Sequence, residues 1–230
     1  MGANVRGTHA CERVVVNRVP LQPMKVLTLL KSSYPNAHYY LDFKTPLDLL
    51  VAAILSAQVR DEVVNDATKE LFRHYKKAKD YANASVNDLV KYIGKVSFAA
   101  NKATHIIAAS KMLVDKHDGN VPKTIEELIE LPGVGRKTAI VILSNAYNIV
   151  DGIVVDTHVI RVSDRLGWSH QKNADRRAQE LDKLIPKEWW KETQWLLKAH
   201  GRAICKAPIP SCSRCPIGKL CPKVGVTKHE

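Results

Sequence analysis

Apolar residues recur along most of this chain at three- and four-residue spacing, the period of a helix that buries one face. The first such run covers residues 23–33, with Met24, Val26, Leu27, Leu29 and Leu30 apolar. Thr45 then caps a second helix, with Pro46 at its first position and Asp48 at its third. The stretch 47–55 is apolar on nearly every side, the mark of a helix through the middle of a core. Asp61 starts a third helix, where Val63, Ala67 and Leu71 repeat every four residues. Residues 74–81 read as a basic, aromatic connector. Ser85 with Asp88 caps a short helix that Gly94 breaks, and 101–116 is a long amphipathic helix stopped near Gly119. Thr124 and Glu127 form a capping box for the next helix. Helices are also expected over 157–166, 175–184 and 189–204. Strand-like alternation is nearly absent. The expectation is an all-α protein of about ten helices, with residues 1–22 irregular.

Between two of these helices lies Leu131-Pro-Gly-Val-Gly-Arg-Lys137. Pro132 and Gly133 stop one helix, and Arg136 restarts another. Gly133 and Gly135 permit positive φ and leave the backbone bare of Cβ. The free N–H groups at the second N-terminus, with the helix dipole, suit an anion. A plain tight turn explains the glycines equally. Nearby, Asp156 in Val155-Asp-Thr-His158 stands at the start of another helix.

Charge narrows the partners. Lys and Arg number 35 against 23 Asp and Glu, a formal charge of +12. That favours a polyanion. No apolar run reaches membrane-spanning length and the N-terminus lacks a secretory apolar core. The expected location is cytoplasmic, with no membrane partner. The absence of heptad runs points to a monomer.

Four of the five cysteines, Cys205, Cys212, Cys215 and Cys221, crowd one segment with spacing C-x6-C-x2-C-x5-C. In a reducing compartment such a group suggests metal rather than disulfides. Tetrahedral zinc and an iron–sulfur cluster both accept four thiolates. Structural zinc usually takes two close pairs, whereas only Cys212 and Cys215 are close here, so the cluster fits better. Cys11 lies alone and reads as a free thiol.

The hairpin segment resembles the helix–hairpin–helix motif of DNA repair proteins. Leu55-Ser-Ala-Gln58, the hairpin, Val155-Asp-Thr-His158, His200-Gly-Arg202 and the four cysteines resemble, in order, the endonuclease III family of base-excision glycosylases. The resemblance covers all but residues 1 to about 22 and the last few. It implies two helical lobes with a DNA-binding cleft between them, and a [4Fe–4S] cluster on the four cysteines. By analogy, residues 1–38 hold an N-terminal segment and a helix joining the cluster lobe, 39–150 form a six-helix lobe with the hairpin, and 151–230 hold the C-terminal helices and the cluster.

It also implies chemistry. An amine attacking C1′ of a deoxynucleotide releases the base and leaves a Schiff base, which acidifies the C2′ proton and lets the 3′ phosphate leave. Lys137 is the nucleophile by resemblance, prepared by burial, nearby cations or the helix N-terminus. Asp156 is the catalytic carboxylate, able to stabilise the cation and relay a proton. On residues alone, Lys137 is equally a phosphate contact and Asp156 an N-cap. Backbone groups of Gly133, Val134, Gly135 and Arg136 would hold a phosphate. The nucleotide must leave the stack. By resemblance Gln58 fills the gap and Phe98 acts as a wedge, where a solvated loop and a core aromatic are the plainer readings. Lys206, with Arg214 and Lys219, makes a basic loop near the cysteines that suits phosphates.

The expected activity is a bifunctional DNA glycosylase and abasic-site lyase on oxidised pyrimidines in duplex DNA. A G·T-mismatch thymine glycosylase is the enzymatic alternative. A non-catalytic DNA-binding module with a structural metal is the alternative of another class.

Overall fold

The computed structural model describes residues 23–230; the expectations for residues 1–22 and Cys11 lie outside them. Among the described residues there are eleven α-helices and no strand. They are α1 (Pro23–Ser33), α2 (Pro46–Leu55), α3 (Asp61–His74), α4 (Ala78–Ala82), α5 (Val86–Ile93), α6 (Ala99–His117), α7 (Ile125–Glu130), α8 (Arg136–Ala146), α9 (Thr157–Arg165), α10 (Ala174–Leu184) and α11 (Trp190–Ala203). No described helix is long and apolar enough to cross a membrane.

The fold is organised by α2. Thr45 Oγ1 accepts from Asp48 N at 3.1 Å and Asp48 Oδ2 accepts from Thr45 N at 3.0 Å, a reciprocal cap that fixes where the helix begins. Residues 47–55 are all buried, against α3, α6 and α8. Each fully buried leucine there contributes about 1.5–3 kcal/mol through area removed from water. This core takes its buried side chains from Leu41 through Leu143, plus Val154.

A second core joins Val26, Leu27 and Leu30 of α1 to residues far along the chain, including Val159, Val162, Leu181, Leu196 and Ile217. The two cores meet at residues 153–155. Val154 packs in the first, Ile153 and Val155 in the second. Alternate side chains pointing to opposite sides let one short segment serve both cores. Asp156 follows immediately, so it is held at their junction.

Three local expectations change. The 74–81 connector contains the short helix α4, whose start is set by Asp80 Oδ2 accepting from Lys76 N and Lys77 N, each at 2.8 Å. Asp118, with φ 52°, already leaves α6 in left-handed backbone before Gly119 does the same. Thr124 Oγ1 accepts from Glu127 N at 3.3 Å, but Glu127 answers by accepting from the Thr124 hydroxyl rather than its backbone N–H, so the box is half formed.

Candidate active site

The hairpin between α7 and α8 is a tight turn in which Val134 N donates to Leu131 O at 3.0 Å. Gly133 has φ +82°, and a Cβ there would lie 3.0 Å from His105 Cβ on α6. Backbone and neighbour together therefore demand glycine. Gly135 differs from expectation. Its φ is −97°, as the N-cap of α8, and nothing lies within 4 Å of the place a Cβ would take. What it supplies is open space before a helix N-terminus. The Val134 N–H is already engaged within the turn and its side chain is buried. Among the described residues, the N–H groups of Gly135, Arg136, Lys137 and Thr138 have no backbone acceptor. These are the orphan donors that a helix start presents to an anion.

Lys137, the second residue of α8, is exposed. Burial within the chain is therefore not what prepares it. Asp156 caps α9, its Oδ1 accepting from His158 N at 2.8 Å and Val159 N at 2.9 Å. Burial pushes its carboxyl up, but contacts with His158, the Val159 N–H and the Lys198 charge outweigh that and hold it at about 2. The His158 ring stands beside it without a hydrogen bond. Its Nδ1 stands 3.6 Å from Asp156 Oδ2, too far to donate, and has no other partner.

Lys137 and Asp156 line one cleft of about 600 Å³, together with Gln58, Tyr39, Gln194, Lys198 and Arg202. Two helix N-termini, those of α8 and α9, thus meet one open space. Its floor is an ion-pair network. Asp61 Oδ2 accepts from Lys198 Nζ at 2.8 Å and pairs with Arg202 Nη2 at 3.3 Å, and Arg202 also donates to Glu62 Oε1 at 2.9 Å. Both cations lie over the Tyr40 ring, at 4.7 and 4.6 Å. Tyr39, Gln194 and Lys198 were not singled out from the sequence. The available signal was Lys198 four residues before Arg202, hence on the same face of α11.

Gln58 has left-handed backbone (φ 58°) and is exposed at the cleft. Phe98 is also left-handed (φ 59°) and 66% exposed, so it is not a core aromatic, and it lies outside the cleft lining. Lys206 is exposed outside the cleft; its carbonyl accepts from Arg165 Nη1 at 2.8 Å.

The four cysteines line a separate, mostly apolar cavity with Val162, Leu166, His200 and Ile217. Nitrogen groups stand against the sulfurs: Arg165 Nη1 donates to Cys205 Sγ at 3.3 Å, Lys223 N to Cys221 Sγ at 3.4 Å, and His200 Nε2 lies 3.7 Å from Cys215 Sγ. Burial, with the three neighbouring thiols adding to it, pushes Cys215 up to about 11. Among the described residues no three His, Cys, Asp or Glu side chains close on a point that would hold a single ion.

Known proteins share this layout. The family model for the HhH-GPD superfamily of base excision DNA repair proteins matches residues 51–187. Endonuclease III from a Synechocystis species is 43% identical over 198 residues, 86% of this chain and 90% of that protein. The chain belongs to the endonuclease III family. Endonuclease III from Bacillus subtilis is 42% identical over 82% of this chain and 86% of its own length. A solved structure of a trapped endonuclease III–DNA covalent intermediate superimposes with a TM-score of 0.83 at 40% identity, covering 90% of this chain and 97% of that one. The superfamily match spans Gln58, the hairpin, Lys137 and Asp156 but ends before Lys198, Arg202 and the cysteines.

Proposed function

We propose that this chain is a DNA glycosylase and abasic-site lyase of base excision repair, which removes oxidised pyrimidines from duplex DNA. The observation that carries the reading is the meeting of Lys137 and Asp156 in one cleft, in a chain 40% identical to a protein trapped covalently on DNA. The orphan N–H groups of residues 135–138 and the +12 charge favour a DNA phosphate at the hairpin. An extrahelical nucleotide then places C1′ in the cleft and displaces water from around Lys137. The neutral amine forms the C–N bond at C1′ as the base leaves with its bonding electrons. Opening of the sugar gives the Schiff base. Loss of the C2′ proton breaks the bond to the 3′ phosphate, and water later releases the lysine. Asp156, held at about 2, is ionised throughout the neutral range. Its first task is thus electrostatic, a fixed negative charge beside the cation that develops at C1′; any proton it relays passes only transiently.

Gln58 and Phe98 are assigned to the gap left by the flipped nucleotide, which their exposure supports. Gly135 and Arg136 hold the phosphate, with Gly133 and Val134 shaping the turn, and Lys206 adds a charge for the backbone at the far lobe. The two cores favour 39–150 as the hairpin lobe and residues 23–38 with 151–230 as the other; the chain is assigned as a monomer.

The four thiols fit a [4Fe–4S] cluster. They line one cavity, N–H groups donate to Cys205 and Cys221, and burial opposes ionisation of Cys215 and Cys221 unless positive metal centres are present. The cluster would be held by Cys205, Cys212, Cys215 and Cys221 and would tie the segment together; no step of the reaction transfers an electron.

The test is borohydride trapping on a duplex with one thymine glycol, wild type beside Lys137→Ala. Adduct in the wild type only supports the reading. Adduct in both moves the nucleophile to another amine, such as Lys198. Neither adduct nor free base in either overturns it, and a G·T mismatch then becomes the substrate to try.

A further inference from the structure

Lys102 is the one lysine of α6 that is buried, at 6% exposure. No carboxylate lies within ion-pair distance of it among the described residues. Its ammonium donates instead to Leu55 O at 2.8 Å and Ala57 O at 2.7 Å. Leu55 is the last residue of α2, so the charge sits at the negative end of that helix, on carbonyls that have no helical partner. A cation taken out of water without a counter-ion is unfavourable, and burial lowers the pKa of this one. An apolar side chain of the same length would fill the space without that cost.

The two ends that Lys102 joins explain what the cation adds. Ala57 O precedes Gln58, whose φ is 58°. The Lys102 backbone N donates to Phe98 O at 3.0 Å, the first bond of α6, and Phe98 has φ 59°. Both residues thus hold a conformation that side chains other than glycine and asparagine disfavour. Both are exposed. One residue ties the two loops through its main chain and its side chain.

We propose that Lys102 is a positioning residue that holds the Gln58 loop and the Phe98 loop in fixed register, so that both enter the duplex as one unit when a nucleotide is extruded. This rests on the gap-filling assignment of Gln58 and Phe98. The demand falls only on duplex DNA; a single strand has no stack to fill.

The experiment compares cleavage of one abasic site in a duplex and in the same strand alone, for wild type, Lys102→Met, Lys102→Arg, Gln58→Ala, Phe98→Ala and the Lys102→Met/Gln58→Ala pair, with thermal melting of each. Loss of register in Lys102→Met lowers the duplex-to-single-strand rate ratio by roughly 10- to 100-fold, as misplacement of positioning groups does. Lys102→Arg recovers part of that ratio, and the double variant falls short of the product of its single effects. Equal losses on both substrates, tracking the melting temperature, make Lys102 a structural cap only and overturn the proposal. So does a wild-type ratio in Lys102→Met while Gln58→Ala and Phe98→Ala lose theirs. Wild-type ratios in Gln58→Ala and Phe98→Ala overturn the gap-filling assignment itself, and the proposal with it, while leaving the lyase reading standing.

Discussion

Lys198 Nζ lies 2.8 Å from Asp61 Oδ2, which ties α11 to the first turn of α3 under the cleft. Both side chains are largely buried, 12% and 16% exposed. The same lysine is one of the charges that hold Asp156 low. Lys198→Met leaves Asp61 with Arg202 alone and is expected to destabilise the fold by about 1–3 kcal/mol, less than a buried pair broken outright. It also moves the acid limb of the pH–rate profile upward, because Asp156 loses a favourable charge. Urea denaturation, and rates between roughly pH 2 and 5 to bracket the limb set by a carboxyl near 2, check both. An acid limb that stays in place argues that Lys198 serves the fold only.

Asp156 separates capping from catalysis. Asparagine caps a helix about as well as aspartate, so Asp156→Asn is expected to fold while losing on the order of 100-fold or more in cleavage rate. The pH dependence of stability gives an independent reading. A carboxyl ionising near 2 in the folded chain and near 3.9 unfolded stabilises fully above the unfolded value and is lost as pH falls through the folded one. The wild type should therefore lose about 2 kcal/mol between roughly pH 4 and pH 2 that Asp156→Asn does not lose. Denaturant titrations across that window decide the matter; parallel curves for the two proteins would remove the charge from the argument.

The two hairpin glycines predict opposite defects. Gly133→Ala meets His105 at 3.0 Å with φ +82°, and is expected to cost about 1–3 kcal/mol of stability. Gly135→Ala has open space and ordinary φ, so its stability should stay within about 0.5 kcal/mol of wild type. Its methyl group instead stands before the free N–H groups of α8 and weakens binding to an abasic-site duplex. Calorimetry and a fluorescence binding titration on the same two variants test this; a binding loss in neither would take the phosphate away from the hairpin.

Removal of one thiol tests the cysteine site. Cys212→Ser is expected to lower both iron and acid-labile sulfide, with loss of broad visible absorption. A colourless wild type containing zinc would replace the cluster with a single-ion site.

Much of this architecture comes from local signals. The α2 boundary is written in Thr45, Pro46 and Asp48, all within one turn, and its burial in an unbroken apolar run. The α4 helix escaped because its five residues sit in a lysine-rich stretch, with Asp80 alone setting its start. Family resemblance named Lys137 and Asp156, but their sharing one cleft depends on how α8 and α9 pack. The pairing of Lys198 with Asp61 was out of reach for the same reason: the two are 137 residues apart, and no spacing rule joins positions so distant. Of the two properties the sequence allows at Gly135, positive φ and a backbone bare of Cβ, only the second is used.

The second core also sets an order of events during synthesis. Beyond Val26, Leu27 and Leu30, with Tyr34 and Ala37 partly buried beside them, the next buried member of that core is Ile153. The α2 core, drawn from residues 41–154, has no such wait and can close on its own. At about 5–20 residues per second, the apolar face of α1 stays uncovered for roughly 6–25 s of translation. Among the described helices α1 is thus among the last to dock, and for that interval its exposed leucines make the nascent chain a client for whatever shields apolar surface in the cell.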